Sequence, residues 1–205
     1  MRNILDLLRP GLVLASHNPG KLAEMRDLVA PLGVPVSCST DHGLAEPEET
    51  GDSFLANARL KALPARDSTG LAAVGDDSGL VVPAIGGAPG IHSARWAGPQ
   101  RDFALAMQRL HDEVAAAGAD SAHFVSVIVL ALPDGGEEVF EGRVDGTLVW
   151  PPRGERGFGY DPMFVPDGDA RSFAEMPFSA KQGHSHRGKA LRALVARLTA
   201  FGGRA

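Results

Sequence analysis

Residues 12–25 have the sequence LVLASHNPGKLAEM, and this stretch decides the fold class. Its first part, Leu12–Ala15, is an apolar run typical of a short buried strand. After the turn at 16–21, apolar side chains recur at helical spacing, at Leu22, Met25, Val29 and Leu32. Asn18 suits the helix N-cap and Pro19 the first helical position. The stretch therefore predicts a strand that runs through a tight turn into a helix.

The next segments continue this alternation of helix and strand. A second helix is predicted over 53–63, with Asn57 and Lys61 four residues apart on one of its faces. Two strands, at 71–74 and 80–82, are predicted to flank a glycine-bounded turn between them. Helix and strand patterns thus succeed one another through the first half of the chain.

The second half adds a hairpin and two more helices. Apolar spacing predicts one helix through Phe103, Met107, Leu110 and Val114. The apolar run 124–132 predicts a strand, and the turn at 133–136 leads into a partner strand at Val139 and Phe140. Ser185 is the predicted N-cap of a closing helix. The sequence therefore predicts an α/β fold with a mixed sheet, as a single domain over residues 1–205.

The composition is that of a globular protein: 205 residues, 44% hydrophobic, 22% charged, with a net charge of −5. No stripe of Lys and Arg is present, so a nucleic-acid polymer is not expected as a partner. Cys38 is the only cysteine, which rules out an intrachain disulfide and fits a reducing compartment. No apolar run predicts a signal peptide or membrane span, so the predicted location is the cytoplasm.

The turn before the first helix is a candidate anion site. A helix start presents unpaired backbone N–H groups and a partial positive charge, and Lys21 adds a full one. Ser16 and Asn18 offer further hydrogen bonds. The alternative is an ordinary capped helix with a surface lysine. The turn is not a P-loop, because it lacks the spaced glycines and the Lys-Ser/Thr pair.

Two acidic segments are candidate Mg²⁺ ligands, Glu48-Glu49-Thr50-Gly51 and Asp76-Asp77-Ser78-Gly79. Mg²⁺ takes one or two protein carboxylates together with substrate phosphates. A cation between the two segments would offset the repulsion of neighbouring carboxylates. The alternative is that the glutamates are only solvated and the aspartates only shape a turn.

Two later segments are candidates for binding a nucleoside. In 157–161, GFGYD, alternating glycines let the backbone approach a ligand, and we expect Phe158 and Tyr160 to display their rings for base stacking. The alternative there is a tight loop with an aromatic plug. Near the closing helix, hydrogen-bond donors gather at Lys181, His186 and Arg187. Zinc at His184 and His186 is disfavoured, because cysteine partners are lacking and the carboxylates suit a harder ion.

Taken together, these segments resemble the inosine/xanthosine triphosphate pyrophosphatase family, also called non-canonical purine NTP pyrophosphatases. The matching stretches occur in the family's order and reach from near the N-terminus into the last helix. They are ASHNPGKLAEM at 15–25, EETGDSFLANARLKA at 48–62, GDDSGLVVPAIGGAPGIHSARWAG at 75–98, GFGYDPMFVPDG at 157–168 and SHRGKAL at 185–191. His17 and the Gly183-His184 pair depart from the family's usual pattern.

The resemblance implies an elongated α/β fold with a long mixed sheet and two lobes around a central nucleotide cleft, usually as a homodimer. It also implies hydrolysis of ITP, dITP and XTP to the monophosphate and pyrophosphate. By resemblance, Glu48 and Asp77 hold the metal, Mg²⁺, and Asp77 is the proton acceptor, with Asp76 as its alternative. The implied substrate contacts are Ser16, His17, Asn18, Pro19, Gly20, Lys21, Ser78, Phe158, Gly159, Tyr160, Asp161, Lys181, His186 and Arg187.

Selectivity is expected from donors that meet the six-keto oxygen of hypoxanthine or xanthine, since the amino group of adenine would leave buried donors unpaired. Two other functions remain open on the residues. One is a pyrophosphatase for modified pyrimidine nucleotides on a related fold. The other is a nucleotide-binding sensor without turnover, which the acidic groups disfavour because they repel a triphosphate unless a metal intervenes.

Overall fold

The structure is a computed structural model that describes residues 4–200. Helices and strands alternate along the chain, with short 3₁₀ turns in several connections. The helices are α1 (Ile4–Leu8), α2 (Pro19–Val29), α3 (Phe54–Thr69), α4 (Phe103–Ala117), α5 (Phe178–His184) and α6 (His186–Thr199). The strands are β1 (Leu12–Leu14), β2 (Val36–Cys38), β3 (Ala72–Val81), β4 (Ser121–Ala131), β5 (Glu137–Leu148) and β6 (Phe164–Pro166).

The six strands form one mixed sheet in the order β2-β1-β3-β4-β5-β6. β1 pairs in parallel with both β2 and β3, whereas β5 and β6 are antiparallel. β4 and β5 are neighbours joined by residues 132–136, a connection short enough only for an antiparallel hairpin. The predicted α/β class, the mixed sheet and the hairpin are confirmed.

The order β2-β1-β3 places the first two long helices on opposite faces of the sheet. The chain moves from β1 to one side for β2 and then back across β1 for β3. Since parallel crossovers are right-handed, this reversal puts α2 and α3 on opposite faces. The core agrees: Leu14 of β1 packs with Met25 of α2, and Val13 packs with Ala65 of α3.

The described chain divides into two compact units, in agreement with the expected two lobes. The first unit contains 4–77, 127–141 and 190–200, and the second contains 78–126 and 142–189. The first unit's core is formed largely by aliphatic residues of the sheet, α2 and α6. The second unit's core is aromatic at its centre, with Phe124, Phe164, Phe173 and Tyr160.

The turn predicted between residues 74 and 80 is wrong, because β3 runs without interruption from Ala72 to Val81. Gly75 serves close packing here and not a turn. A Cβ at that position would run into the carbonyl oxygen of Ala58 and lie 2.7 Å from the amide nitrogen of Ala62, both in α3. The glycine therefore lets the strand lie directly against the helix backbone.

The second predicted helix is longer than expected. It runs from Phe54 through Pro64 to Thr69, and Gly70 in the left-handed conformation ends it. A proline removes one helical hydrogen bond, yet the helix continues past Pro64, and Ala65 packs in one cluster with Val13 and Ala73 of the sheet. The strands β2 and β6, each of three residues, were not predicted.

The helix caps follow the sequence closely. Asn18 caps α2 with Pro19 at its first position, and the hydroxyl of Ser185 accepts the Gly188 N–H at the start of α6.

Among residues 4–200, no helix combines the length and apolarity needed to cross a membrane.

Candidate active site

The acidic pair of β3 lies just beyond the carboxyl end of β1. Leu14, the last residue of β1, pairs with Val74, and the Ala15 N–H donates to the Val74 carbonyl at 2.7 Å. Asp76 and Asp77 follow in β3 and are both buried. In open α/β sheets, ligands bind just beyond the carboxyl ends of the strands, at the point where the strand order reverses.

Strand alternation separates the two carboxylates. Successive side chains of a strand point to opposite faces. Val74 belongs to the core that contains α2, and Ala73 to the core that contains α3. Asp76 is therefore on the α2 face and Asp77 on the α3 face, and their hydrogen bonds agree.

Asp76 is paired with Lys21, the third residue of α2. The Lys21 ammonium donates to both carboxylate oxygens of Asp76, at 2.9 and 2.7 Å. Asp76 is 2% exposed, whereas the Lys21 side chain is 28% exposed. The pair thus compensates a buried negative charge with a cation that water still reaches.

Asp77 is held by two residues of α3. The Asn57 amide donates to Asp77 Oδ2 at 3.0 Å, and Lys61 Nζ lies 4.0 Å from Asp77 Oδ1. Lys61 also donates to the backbone carbonyl of Asp76 at 2.9 Å and lies 2.5 Å from Glu49 Oε1. Burial lowers the pKa of Lys61, but the hydrogen bond to Glu49 and the nearby aspartate charges outweigh it and raise the pKa. Lys61 is therefore a charged ammonium among three carboxylates.

The carboxylate that joins this cluster is Glu49, not its neighbour Glu48. Glu48 is exposed, and its backbone carbonyl accepts the Thr50 N–H at 3.1 Å. Two adjacent glutamates cannot be told apart by composition, and the local course of the chain decides which one turns inward. These contacts concern Lys61 and not a metal ion, so the pairing of Glu48 with Asp77 as metal ligands stays a prediction.

The turn before α2 differs from the expectation of unpaired N–H groups. The N–H groups of Gly20 and Lys21 both donate to Asn18 Oδ1, at 2.9 and 3.3 Å. The Asn18 N–H in turn donates to Ser16 Oγ at 3.1 Å. His17 hydrogen-bonds through Nε2 to the Leu44 carbonyl at 2.9 Å. The helix start thus carries its own cap, and a ligand would add to it or replace it.

The second unit contains another buried ion pair, Asp161 with Lys181. Asp161 accepts from the Lys181 ammonium and, at 2.8 Å, from the Phe158 N–H. Burial raises the pKa of Asp161, while the Lys181 charge and the hydrogen bonds act to lower it. Gly157 has φ +79°, and a Cβ there would run into the Asp161 carboxylate. This glycine therefore makes room for Asp161 and not for a ligand.

The two aromatic residues of the 157–161 loop have different environments. Phe158 is 76% exposed, with the Lys181 ammonium 5.1 Å from its ring centroid. Tyr160 is buried, and its hydroxyl donates to the Ser93 carbonyl at 3.0 Å. Its ring packs edge-on against Phe103 at 5.6 Å. The expectation that both rings are displayed is therefore wrong for Tyr160, which anchors the loop.

His186 stacks on Phe124, with ring centroids 4.7 Å apart. Burial and the charges of Lys181 and Arg187 lower the pKa of His186 to about 3, so the ring is neutral near pH 7. Within the described part of the chain, its Nδ1 is buried and has no hydrogen-bond partner. A neutral imidazole offers one donor and one acceptor, which suits the edge of a nucleobase.

The carboxylates alone do not complete a metal centre. Among residues 4–200, no group of three or more His, Cys, Asp or Glu is arranged to hold an ion. An ion held at the predicted ligands, Glu48 and Asp77, would need further ligands, and Mg²⁺ commonly takes these from water and substrate phosphates.

A model described as the Ham1 family matches residues 12–197. The chain belongs to the Ham1 family. The match includes both β3 aspartates, the turn before α2 and the 157–161 loop.

Several Ham1 relatives cover most of the chain. A relative from Zymomonas mobilis, named dITP/XTP pyrophosphatase, is 54% identical over 193 residues, 92% of this chain and 92% of the relative. A relative of the same name from a Bradyrhizobium strain is 58% identical over 177 residues, 84% of this chain and 83% of the relative. The solved structure of a HAM1 protein from Coxiella burnetii has a TM-score of 0.89 at 39% identity, and covers 93% of this chain and 98% of that one.

The structure of this Ham1 chain adds residues that the sequence did not single out for chemistry. Asn57 donates to the Asp77 carboxylate, and Lys61 lies 4.0 Å from it. The spacing of Asn57 and Lys61 on one helix face did contain the signal, but nothing in the sequence placed that face against β3.

Proposed function

We propose that this chain hydrolyses purine nucleoside triphosphates with altered bases, namely ITP, dITP and XTP, to the monophosphate and pyrophosphate. The observation that carries the proposal is the cluster of buried carboxylates and lysines beyond β1 in a Ham1-family chain. The names of its relatives, dITP/XTP pyrophosphatase, support the same substrate class.

Asp77 is the proton acceptor in this proposal. The Asp77 carboxylate itself forms no bond to phosphorus. The carboxylate orients a water and takes its proton as the water oxygen bonds to the α-phosphorus. The bond from that phosphorus to the bridging oxygen breaks, and pyrophosphate leaves as one unit. Asn57 and Lys61 fix the carboxylate from two sides, at 3.0 and 4.0 Å.

Lys21 supplies positive charge to the triphosphate. An ammonium has three N–H donors. Lys21 donates to the two carboxylate oxygens of Asp76, at 2.9 and 2.7 Å, which uses two of them. The remaining donor suits a phosphate oxygen. Ser16, Asn18 and the backbone of residues 17–20 form the rest of the proposed triphosphate contact, with Ser78 next to Asp77 in β3.

The residues fit Mg²⁺ as the cofactor. Glu48 and Asp77 would hold it, since both offer hard carboxylate oxygens. Asp77 and Glu49, the neighbour of Glu48, already lie around a cation, the Lys61 ammonium, at 4.0 and 2.5 Å. When bound, the ion neutralises phosphate charge and polarises the attacked phosphorus.

Base recognition is assigned to the second unit. Phe158 presents an exposed ring for stacking, and the loop 158–161 is fixed by Tyr160 and Asp161. Lys181, His186 and Arg187 are the proposed donors to the six-keto oxygen. An adenine amino group in that place would leave a donor unpaired, at a cost of about 1–3 kcal/mol per buried group.

One assay tests the proposal. Purified protein is given ITP, dITP, XTP, dGTP or dUTP, with and without Mg²⁺, and pyrophosphate is scored separately from orthophosphate. We expect pyrophosphate from the first three substrates and only with the metal. Orthophosphate as the main product, or a preference for dUTP, contradicts the assignment, and binding of ITP without turnover would identify a sensor.

Asp77→Asn gives the matched variant for this assay. The amide keeps the shape of the carboxylate and still accepts from Asn57, so the fold should persist. It cannot take a proton, and we expect kcat for ITP to fall by roughly 100-fold or more. Thermal unfolding serves as the control for folding, and near-normal turnover would remove Asp77 from the mechanism.

The assembly and location remain proposals as well. We propose a homodimer that acts in the cytoplasm, on the resemblance to the family. Light scattering coupled to gel filtration tests the first: a mass of one chain at micromolar concentration contradicts it. Fractionation of cells that express the chain tests the second.

A further inference from the structure

Asn57 is a completely buried polar residue that connects two parts of the candidate active site. Its relative exposure is 0%. On one side, its Nδ2 donates to Asp77 Oδ2 at 3.0 Å. On the other side, its Oδ1 accepts the Gly51 N–H at 2.8 Å. One amide therefore spans from the strand that carries Asp77 to the turn that follows Glu49.

The orientation of this amide is fixed by chemistry. A backbone N–H only donates, so the Asn57 atom facing Gly51 must be the carbonyl oxygen. An ionised carboxylate only accepts, so the atom facing Asp77 must be the NH₂ group. Neither end tolerates the flipped amide. The side chain is thus a directional link, and a carboxylate or a hydroxyl in its place satisfies only part of it.

The turn approaches the helix too closely for any side chain at position 51. A Cβ on Gly51 would lie 2.6 Å from Asn57 Oδ1 and 2.7 Å from Ala56 Cβ. The Gly51 backbone therefore sits directly on the start of α3. Glu49, two residues earlier, reaches Lys61 from this turn at 2.5 Å.

We infer that Asn57 is a positioning residue that holds Asp77 and the Glu49-bearing turn as one unit. Its amide engages Asp77 Oδ2, which leaves Oδ1 turned toward Lys61 and thus toward Glu49. Its carbonyl fixes the turn from which Glu49 projects. Both acidic groups take their placement from one buried side chain. This inference rests on the proposed function for its catalytic consequence, but the coupling itself does not.

The kinetic test uses Asn57→Ala and a control with a comparable loss of packing. Val29→Ala removes a buried side chain from the core of the same unit. We expect Asn57→Ala to lower kcat for ITP at least tenfold with KM within about threefold, because it disturbs the reacting groups and not the bulk of substrate binding. Val29→Ala should leave kcat within about twofold. Asn57→Ser, too short to span both bonds, is expected to reproduce the kcat loss if the alanine variant does not fold.

A second measurement needs no turnover. The amide hydrogen exchange of Gly51 reports whether its N–H is held by Asn57. In Asp77→Ala, Asn57 loses its other anchor, and we expect Gly51 exchange to rise at least fivefold over wild type. Glu48→Ala, which removes an exposed carboxylate on the same turn, should leave it unchanged.

The outcomes separate the inference from the proposed function. A wild-type protein that releases no pyrophosphate defeats the function, while Gly51 exchange still decides the coupling. Unchanged Gly51 exchange in Asp77→Ala overturns the inference. So does an Asn57→Ala variant whose kcat loss is no greater than that of Val29→Ala, or one that raises KM alone.

Discussion

Asp76 and Asp77 are neighbours in sequence, yet their carboxylates have separate partners. Because β3 is extended, one carboxylate meets Lys21 of α2 and the other meets Asn57 of α3. A buried charge is tolerated only where it is paired and hydrogen-bonded. Each aspartate satisfies that condition on its own face, so the pair is not a shared-proton dyad. This division favours Asp77 for chemistry and Asp76 for holding Lys21.

Lys21→Met tests that division. It leaves Asp76 buried without its cation, and we expect the free energy of unfolding to fall by about 2–4 kcal/mol. Adding Asp76→Asn should recover most of that loss, since an amide is cheaper to bury than a charge. KM for ITP should stay raised in both variants. Urea unfolding and steady-state kinetics give the two readouts. A double variant as unstable as the single one contradicts the pairing.

Phe158→Ala tests base stacking at a position that contributes little to the stability of the fold. The ring is 76% exposed, so the unfolding free energy should change by less than about 0.5 kcal/mol. Loss of a base–aromatic stack costs about 1–3 kcal/mol, and KM for ITP should rise accordingly, by roughly fivefold or more. Phe178→Ala is the matched control, since that ring is 72% exposed and lies outside the 157–161 loop. Equal KM for wild type and Phe158→Ala would exclude stacking.

At the scale of elements, the site depends on how closely β3 lies against α3. Gly75 permits that approach, and Asn57 and Lys61 reach Asp77 because of it. The placement of the polar groups therefore follows from backbone packing, one step removed from the polar residues themselves. A change that separates strand from helix should disturb the chemistry without touching any charged side chain.

Gly75→Ala makes that separation. Its Cβ would meet backbone atoms of α3, which cannot move as a flexible side chain can. We expect a loss of about 1–3 kcal/mol in unfolding free energy, typical of overpacking, and a fall in kcat larger than that seen for Val29→Ala. Gly183→Ala is the control, because a Cβ there meets nothing within 4 Å. Retained kcat in Gly75→Ala would show that the spacing is not critical.

The elements and caps with strong local signals could be predicted from the sequence. Strand β1, the Asn18 cap and α2 follow from a few adjacent residues. The α/β class follows from the alternation of strand and helix patterns along the chain. The continuous β3 was missed because Gly75 and Gly79 resemble turn residues, whereas the contact with Ala58 that requires Gly75 is distant in sequence. The contact of Glu49 with Lys61, and the burial of Tyr160, likewise depend on tertiary contacts that no local pattern contains.

At the scale of the whole molecule, the two units differ in how strongly their titratable groups make stability depend on pH. In the first unit, the described cluster pairs lysines with carboxylates. The second unit contains, besides its own lysine–carboxylate pair, two partly buried histidines whose pKa values are lowered. Burial and the Arg143 charge lower the pKa of His123, and burial with two nearby cations lowers that of His186. Such histidines stay neutral in the folded protein but take up a proton when it unfolds. The free energy of unfolding therefore decreases in acid.

The stability of the protein should therefore fall as the pH drops below about 6.5. In that range the unfolded chain protonates His186, whereas the native ring stays neutral until about pH 3. The unfolded state then binds more protons, and the unfolding free energy decreases with decreasing pH. For His186 we expect a loss of about 1–2 kcal/mol between pH 7 and pH 5.

His186→Phe isolates this contribution. The variant keeps an aromatic ring for Phe124 and removes the buried Nδ1 that has no partner among the described residues. Urea unfolding at pH 7 and pH 5 should show a smaller acid-induced loss than in wild type, with stability at pH 7 equal or higher. His184→Gln, at an exposed position, should keep the wild-type pH dependence. If His186→Phe loses as much stability as wild type between the two pH values, the native ring is protonated normally and does not remain neutral.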